Sequence, residues 1–575
     1  MNYPVFLFAI LLLLIAGCKE PGKKADTTTV TPEKERIGCA PATTDKAWYT
    51  AGTKAPLFKG LEGIRFKIST SSKEAQDYFN QGMMLAYGFN HAEAARSFFE
   101  AARLDSNCAM AYWGFAYVLG PNYNAGMEDD NYQRAYEAAQ KAISLAPGCT
   151  PKEQALIRAL SHRYTEQAPK ERGHLDSAFS AAMKNVYNAY SNDPDIGALY
   201  VESLMDLHPW DLYDKKTGMP RPWTPEIVTI LEKLIQQYPK HPGAPHFYIH
   251  AVEASKTPER GLAQAGLLMQ LVPGSGHLLH MPSHIYIRTG NYHLGSLANL
   301  NAVKMDSAYI TACHAQGAYP LSYYPHNYHY LAATATFEGN SKLAWMAAKK
   351  VQEKTARDIM TQPGWGTLQH YYTIPYFVAV KFGLWDSILA IRQPVKELVY
   401  PCAVLHYARG MALLGKNNIA GAGQELTQLN TLITNPALKD MTIWDINPVT
   451  DILQIAAQVL TAEIYRNKKD YNKAIISFNK AVAIEDDLNY NEPPDWFFSV
   501  RHHLGATLLQ AGKYSQAETT YREDLETWKE NGWALAGLQQ ALQKQGKAQD
   551  AQLAGQRLAR AWQYADFDLA ASFNP

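Results

Sequence analysis

Small and large apolar residues return along this chain in a fixed helical order. Gly82 is followed twelve residues later by Ala94, then by Phe98 and Ala101. The order recurs as Ala462, Tyr465, Ala474, Phe478 and Ala481, and again as Leu504, Gly505, Ala517 and Tyr521. Ala551 follows Ala517 by 34 residues. In such a unit, small residues let two helices approach while a large one fills the space between them. One unit cannot bury its own apolar face, so units must stack. At 575 residues the chain also exceeds the size at which a single globular core stops growing. Strand signals are few, which leaves no room for a separate sheet domain.

The segment FNHAEAARSFFEAARLDSNCAMAYWG and the later run EPPDWFFSVRHHLGATLLQAGKYSQAETTYREDL resemble the tetratricopeptide (TPR) repeat. With PGAPHFYIHAVEAS and PGSGHLLHMPSHIYIRTGNY, they are similar to a family of large bacterial TPR lipoproteins that has no assigned activity. The resemblance implies an all-α fold, a TPR-type α-α solenoid in which helix pairs wind into a right-handed superhelix. It supplies no reaction. Gly290, Gly339, Gly383 and Gly415 fit the turn inside a repeat, while Pro239 and Pro273, 34 residues apart, fit the loop between repeats. A continuous solenoid over 47–575 is therefore expected, broken by an insertion near 209–225 whose prolines forbid regular helix.

Ahead of the repeats, the apolar run from Val5 to Ile15 has the length of a signal-peptide core and is too short to span a bilayer. It ends in Leu14, Ile15, Ala16, Gly17 and Cys18, which resembles a lipobox. Residues 1–17 then read as a lipoprotein signal peptide, Cys18 as the lipidation site, and the Thr-, Lys- and Pro-rich residues 18–46 as a flexible tether. Lys19 in place of aspartate favours the outer membrane, so a lipid-anchored protein of the cell envelope is expected. Lys plus Arg and Asp plus Glu each number 54, leaving no basic field for nucleic acid. Cys39, Cys108, Cys149, Cys313 and Cys402 show no CxxC spacing, with Cys108–Cys149 the one pairing suggested.

Histidines supply the candidate chemistry. His246, His250 and Glu253 are spaced by four and three residues and so share one helix face. His277, His280, His284 and Arg288 form a second stripe, and the 34-residue offset sets His246 beside His280 and His250 beside His284. His326, His329 and His370 extend the series, with Tyr248, Tyr286, Tyr330 and Tyr372 close by in sequence, while His502 lies farther along. Neutral imidazoles converging from rigid helices suit zinc, iron or copper, with His246, His250, His280 and His284 as candidate ligands and Glu253 as a ligand or general base. The resemblance implies instead that these places line a concave groove for a peptide, an envelope protein or a small ligand. Satisfied structural histidines are a third reading, and all three stay open. There is no HExxH, P-loop, GxSxG or dinucleotide fingerprint. His208, Pro209, Trp210 and Asp211 read as a helix stop or a lid, His91 and Arg96 as structural, and Asn491 to Trp496 as a rigid structural lead-in to the last repeats.

Overall fold

A computed structural model describes residues 46–313, 319–362, 364–569 and 571–573. The signal peptide, Cys18, Cys39 and nearly all of the tether lie outside the described residues. Helices dominate from Lys73 onward, and the single sheet among the described residues is the two-residue pairing of Thr442–Ile443 with Asn447–Pro448. None of the described helices is long and apolar enough to cross a membrane. Cys108, Cys149 and Cys402 are free thiols, so the suggested Cys108–Cys149 disulfide is not made.

The repeat residues explain how the helix pairs close. Lys73–Tyr87 starts at Ser72, whose side chain accepts the Ala75 amide, and packs on His91–Leu104 and Ala109–Leu119. Phe98 fills the space between: a Cβ added at Gly82 or at Gly114 would fall 2.6 or 2.5 Å from its ring. Near the other end Tyr521 is held in the same way by Gly505 and Gly537, where an added Cβ would fall 2.3 and 2.1 Å from the ring. Inside the array Gly290, Gly339 and Gly383 adopt the left-handed turn, with φ of 78°, 79° and 66°. Gly415 instead ends the helix Val399–Gly415, and Asn417 makes the left-handed turn there at φ 60°. The segment 207–223, between Pro194–Asp206 and Thr224–Gln237, is a turn-rich insertion with one bridge, Tyr213 to Pro220.

Both ends of the array fold back toward its middle. The Tyr87 carbonyl and Gly60 reach the helices near 246 and 274, the latter through the Gly274 amide donating to the Gly60 carbonyl at 3.0 Å. From the other end, the Trp533 indole N–H donates to the Thr336 carbonyl at 3.0 Å and Asp566 accepts the Ser341 amide at 2.9 Å. The buried apolar residues form two cores, one from Ala55 to Tyr286 and one from Ile287 to Phe573. The histidine-bearing helices lie at their seam.

Emptying the Phe98 slot by Phe98→Ala is expected to cost about 3–5 kcal/mol. Overfilling it by Gly82→Val is expected to cost about 1–3 kcal/mol. Urea denaturation followed by circular dichroism would measure both, and unchanged midpoints would show that this packing does not hold the helix pair together.

Candidate metal centre

Three short helices bring the stripe together. Gly243–Glu253 carries His246, His250 and Glu253 on one face. Gly276–His280 starts at Ser275, whose hydroxyl accepts the Leu278 amide, and carries His277 and His280. Its first residue must be small, since a Cβ at Gly276 would lie 1.7 Å from Asp306 Oδ1. The stripe is then divided, because the next helix, Pro282–Thr289, begins at a proline before presenting His284. Tyr324–Phe337 adds His326.

The result is two groups of three imidazoles. One ligand atom from each of His246, His250 and His277 lies within 4.8 Å of the other two, and the same holds for His280, His284 and His326. His250 meets His284 across the helices with ring centroids 5.6 Å apart, while His246 meets His277 and not His280, their Nε2 atoms 3.2 Å apart. Five of the six rings are at most 2% exposed, and His326 alone is half-buried.

Their hydrogen bonds fix the tautomers. The Tyr87 carbonyl can only accept, so His246 donates from Nδ1 at 2.6 Å and its Nε2 is a bare lone pair. His280 Nδ1 faces Asn299 Oδ1 at 2.7 Å, and that amide's orientation is set by its own N–H₂ donating to the Gly295 carbonyl. Glu253 accepts from His250 Nδ1 at 2.7 Å through one oxygen and from His284 Nδ1 at 2.5 Å through the other. His280 and His284 are left with Nε2 atoms 2.9 Å apart, each with its Nδ1 already donating. His250 Nε2 and His277 Nδ1 are buried with no partner at all. Carbonyl, amide or carboxylate oxygens on Nδ1 and free Nε2 lone pairs turned inward are the arrangement in which imidazoles bind metal.

Burial sets most of the charges. It pushes His246, His277, His280 and His326 well below the usual imidazole range, so these rings are neutral. Burial acts on His284 too, but the Glu253 carboxylate outweighs it and the ring is raised. For Glu253, burial alone would raise the pKa, yet His284 and His250 hold it down at about 2. With both oxygens committed to imidazole N–H groups, Glu253 orients ligands rather than standing free as a base.

An aromatic shell encloses the rings. Phe89 lies against His246 at 4.6 Å between centroids, Trp210 and Tyr123 against His250, and Tyr330 against His280 and His284. Trp444 stands edge-on to His326 at 6.3 Å. Phe89, Trp210 and Trp444 all have positive φ, 51°, 59° and 54°, a conformation that side-chain-bearing residues hold only where their surroundings enforce it. Trp210 thus covers the site from the insertion, whereas His208 is stacked on Trp223 at 3.6 Å.

Glu492 enters from far along the chain. Its carboxylate accepts hydroxyls from Tyr330 and Tyr490, and burial pushes it up to about 7 against the pull of His284. By sequence Asn491 to Trp496 read as a structural lead-in, and Glu492 was not among the candidate ligands. The signal available was an acid set between Tyr490 and a double proline in a helix-rich chain. Arg288 borders the site with its guanidinium 5.1 Å from the Tyr490 ring centre. His329 and His370 form a separate buried pair, 5.8 Å between centroids, with Tyr400 hydroxyl on His370 Nδ1 at 2.9 Å. His502 lies elsewhere, between Lys381 and Asp524.

Paired helices with these spacings form a tetratricopeptide-type solenoid, a fold that suggests a protein-binding or scaffold role. Residues 456–488, within the helices Val449–Asn467 and Tyr471–Asp487, match the tetratricopeptide repeat family. No curated protein matches the sequence. Among solved structures, the human IFIT1 dimer with m7Gppp-AAAA is 13% identical over 87% of this chain and 98% of that chain, with a TM-score of 0.33. Yeast Tom70 is 13% identical over 86% and 99%, with a TM-score of 0.31. The APC/C hetero-tetramer Cut9-Hcn1 is 12% identical over 87% and 79%, with a TM-score of 0.30.

Because the folded chain holds Glu253 at about 2, below its ordinary 4.5, its stabilisation is full above pH 4.5 and is lost as pH falls toward 2. Glu253→Gln is expected to lower stability at pH 6 by on the order of 3–5 kcal/mol. Urea midpoints of the two proteins should converge as the pH drops through that window, and a gap independent of pH would contradict the ionised bridge.

Proposed function

We propose that this protein binds a transition metal at the buried polyhistidine centre, with the solenoid acting as the rigid frame that holds the ligands. The observation that carries the reading is the pair of imidazoles, His280 and His284, whose Nδ1 atoms are both committed to oxygen acceptors while their Nε2 atoms face each other at 2.9 Å. Two lone pairs at that distance repel unless a proton or a cation lies between them, and imidazole nitrogen selects zinc, copper or iron. Ligands about 2.0–2.1 Å from a tetrahedral ion stand roughly 3.3 Å from one another, close to the present spacing. A peptide lodged in a groove is supported less well, because five of the six rings offer it almost no accessible surface. A protein-binding role for the solenoid would use other faces and is compatible with a metal inside.

The N-terminal reading belongs to the same proposal: Cys18 carries a lipid and holds the frame at the cell envelope. In that compartment Cys18→Ala is expected to move the protein from the membrane fraction to the soluble one, and unchanged fractionation would remove the anchor.

For the centre itself, elemental analysis of protein purified without a histidine tag is expected to find stoichiometric zinc, copper or iron. The His250→Ala/His284→Ala double variant, checked for folding by circular dichroism, should lose it. Wild-type protein that stays metal-free after supplementation with each of the three ions would sink the reading.

A further inference from the structure

Resting on the metal reading above, the geometry points to a paired centre. We propose that the six imidazoles hold two copper ions, one on His246, His250 and His277 and the other on His280, His284 and His326, and that the pair binds dioxygen.

The two triads are parts of one shell. Within them the ring centroids are separated by 4.8 to 6.4 Å, as for His280–His284 and His250–His277. Between them the gaps are 5.6 Å for His250–His284 and 5.9 Å for His277–His280, inside the same range. Glu253 links the triads a second time, orienting one imidazole of each with its two oxygens. Ions placed in both triads are therefore neighbours.

Charge selects the metal. Imidazole is neutral when it coordinates, so six such ligands bring no negative charge to the ions. Glu253 contributes one, its two oxygens accepting imidazole N–H groups, and Glu492, which accepts the hydroxyls of Tyr330 and Tyr490, has a ligand atom within 4.8 Å of one from Glu253 and one from His284. Two divalent ions would leave a large uncompensated positive charge in a sealed, aromatic-walled site, where desolvation makes charge costly. Two copper(I) ions carry half the charge of two divalent ions, and copper suits imidazole donors. Zinc has no redox chemistry and so cannot reduce dioxygen.

The same accounting favours dioxygen. Each copper(I) gives up one electron, and dioxygen accepts both to become peroxide bound between two copper(II) ions. No proton is needed, and the net charge of the site is the same before and after. Release of dioxygen returns both electrons to the metals. Access is one-sided: the rings of the first triad are at most 2% exposed, whereas His326 is half-buried beside Trp444, whose amide donates to the Thr367 hydroxyl at 2.8 Å. His326 is thus the one ring of the six with appreciable solvent exposure.

Titrating the metal-free full-length protein with copper(I) without oxygen tests the assignment. Two coppers per chain are expected, and admitting oxygen should consume one dioxygen per two coppers and produce a near-ultraviolet charge-transfer band. His277→Ala and His326→Ala should each halve the copper content and abolish oxygen uptake. Should either variant misfold, the wild-type stoichiometry and oxygen uptake still decide. One copper per chain, or two with no oxygen uptake, would overturn the paired centre while leaving the metal reading intact. No binding of copper, zinc or iron at all would overturn both.

Discussion

One carboxylate organises the interior of this solenoid. Glu253 sits at the end of the helix that also carries His246 and His250, and it accepts from an imidazole on its own helix and from one on a later helix. In a repeat array neighbouring helices usually meet through interchangeable apolar side chains, and their register can slide. A buried charge with two directional partners cannot slide. It fixes the rotation of both helices, and with it the direction in which the remaining ring nitrogens point. The aromatic shell follows from the same demand, since a charge and its imidazole partners keep their mutual strength only where water is kept out.

The scaffold was readable from the sequence because its rules are local. Gly82, Phe98, Gly505 and Tyr521 stand at fixed separations, and the contacts they predict are made inside one helix pair or its neighbour. The gathering of His250 and His284 was readable for the same reason, as both obey the repeat offset. What was not readable comes from breaks in the rule. Pro282 divides the expected helix, and His246 meets His277. Tyr87, Glu492, Trp210 and Trp444 reach the centre from loops and helix ends far away in sequence, where no period connects them to the histidines. The disulfide suggested for Cys108 and Cys149 failed on similar ground, since residue counts do not tell which way a thiol points.

Placing the centre at the seam of two cores also explains its composition. Apolar side chains saturate each core separately, and the surface where the halves meet must be filled by groups that both can satisfy. Imidazole, phenol and carboxylate do this through hydrogen bonds: Tyr490 to Glu253 crosses between the halves at 3.3 Å, and Tyr330 to Glu492 braces the second half beside it. The three residues with enforced positive φ around the rings show how far the surrounding backbone is bent to complete that enclosure.

The long reach of Glu492 has a consequence for how the molecule is made. The helices bearing five of the six clustered imidazoles end by residue 289, and the carboxylate that meets Tyr330 and Tyr490 is translated some two hundred positions later. A growing chain therefore holds a polar face that Phe89, Tyr123 and Trp210 cover only in part until the distal segment arrives. The interior is completed last. Its vulnerable period is the interval of its own biogenesis, and a chain cut short before that segment would lack the carboxylate that completes its polar interior.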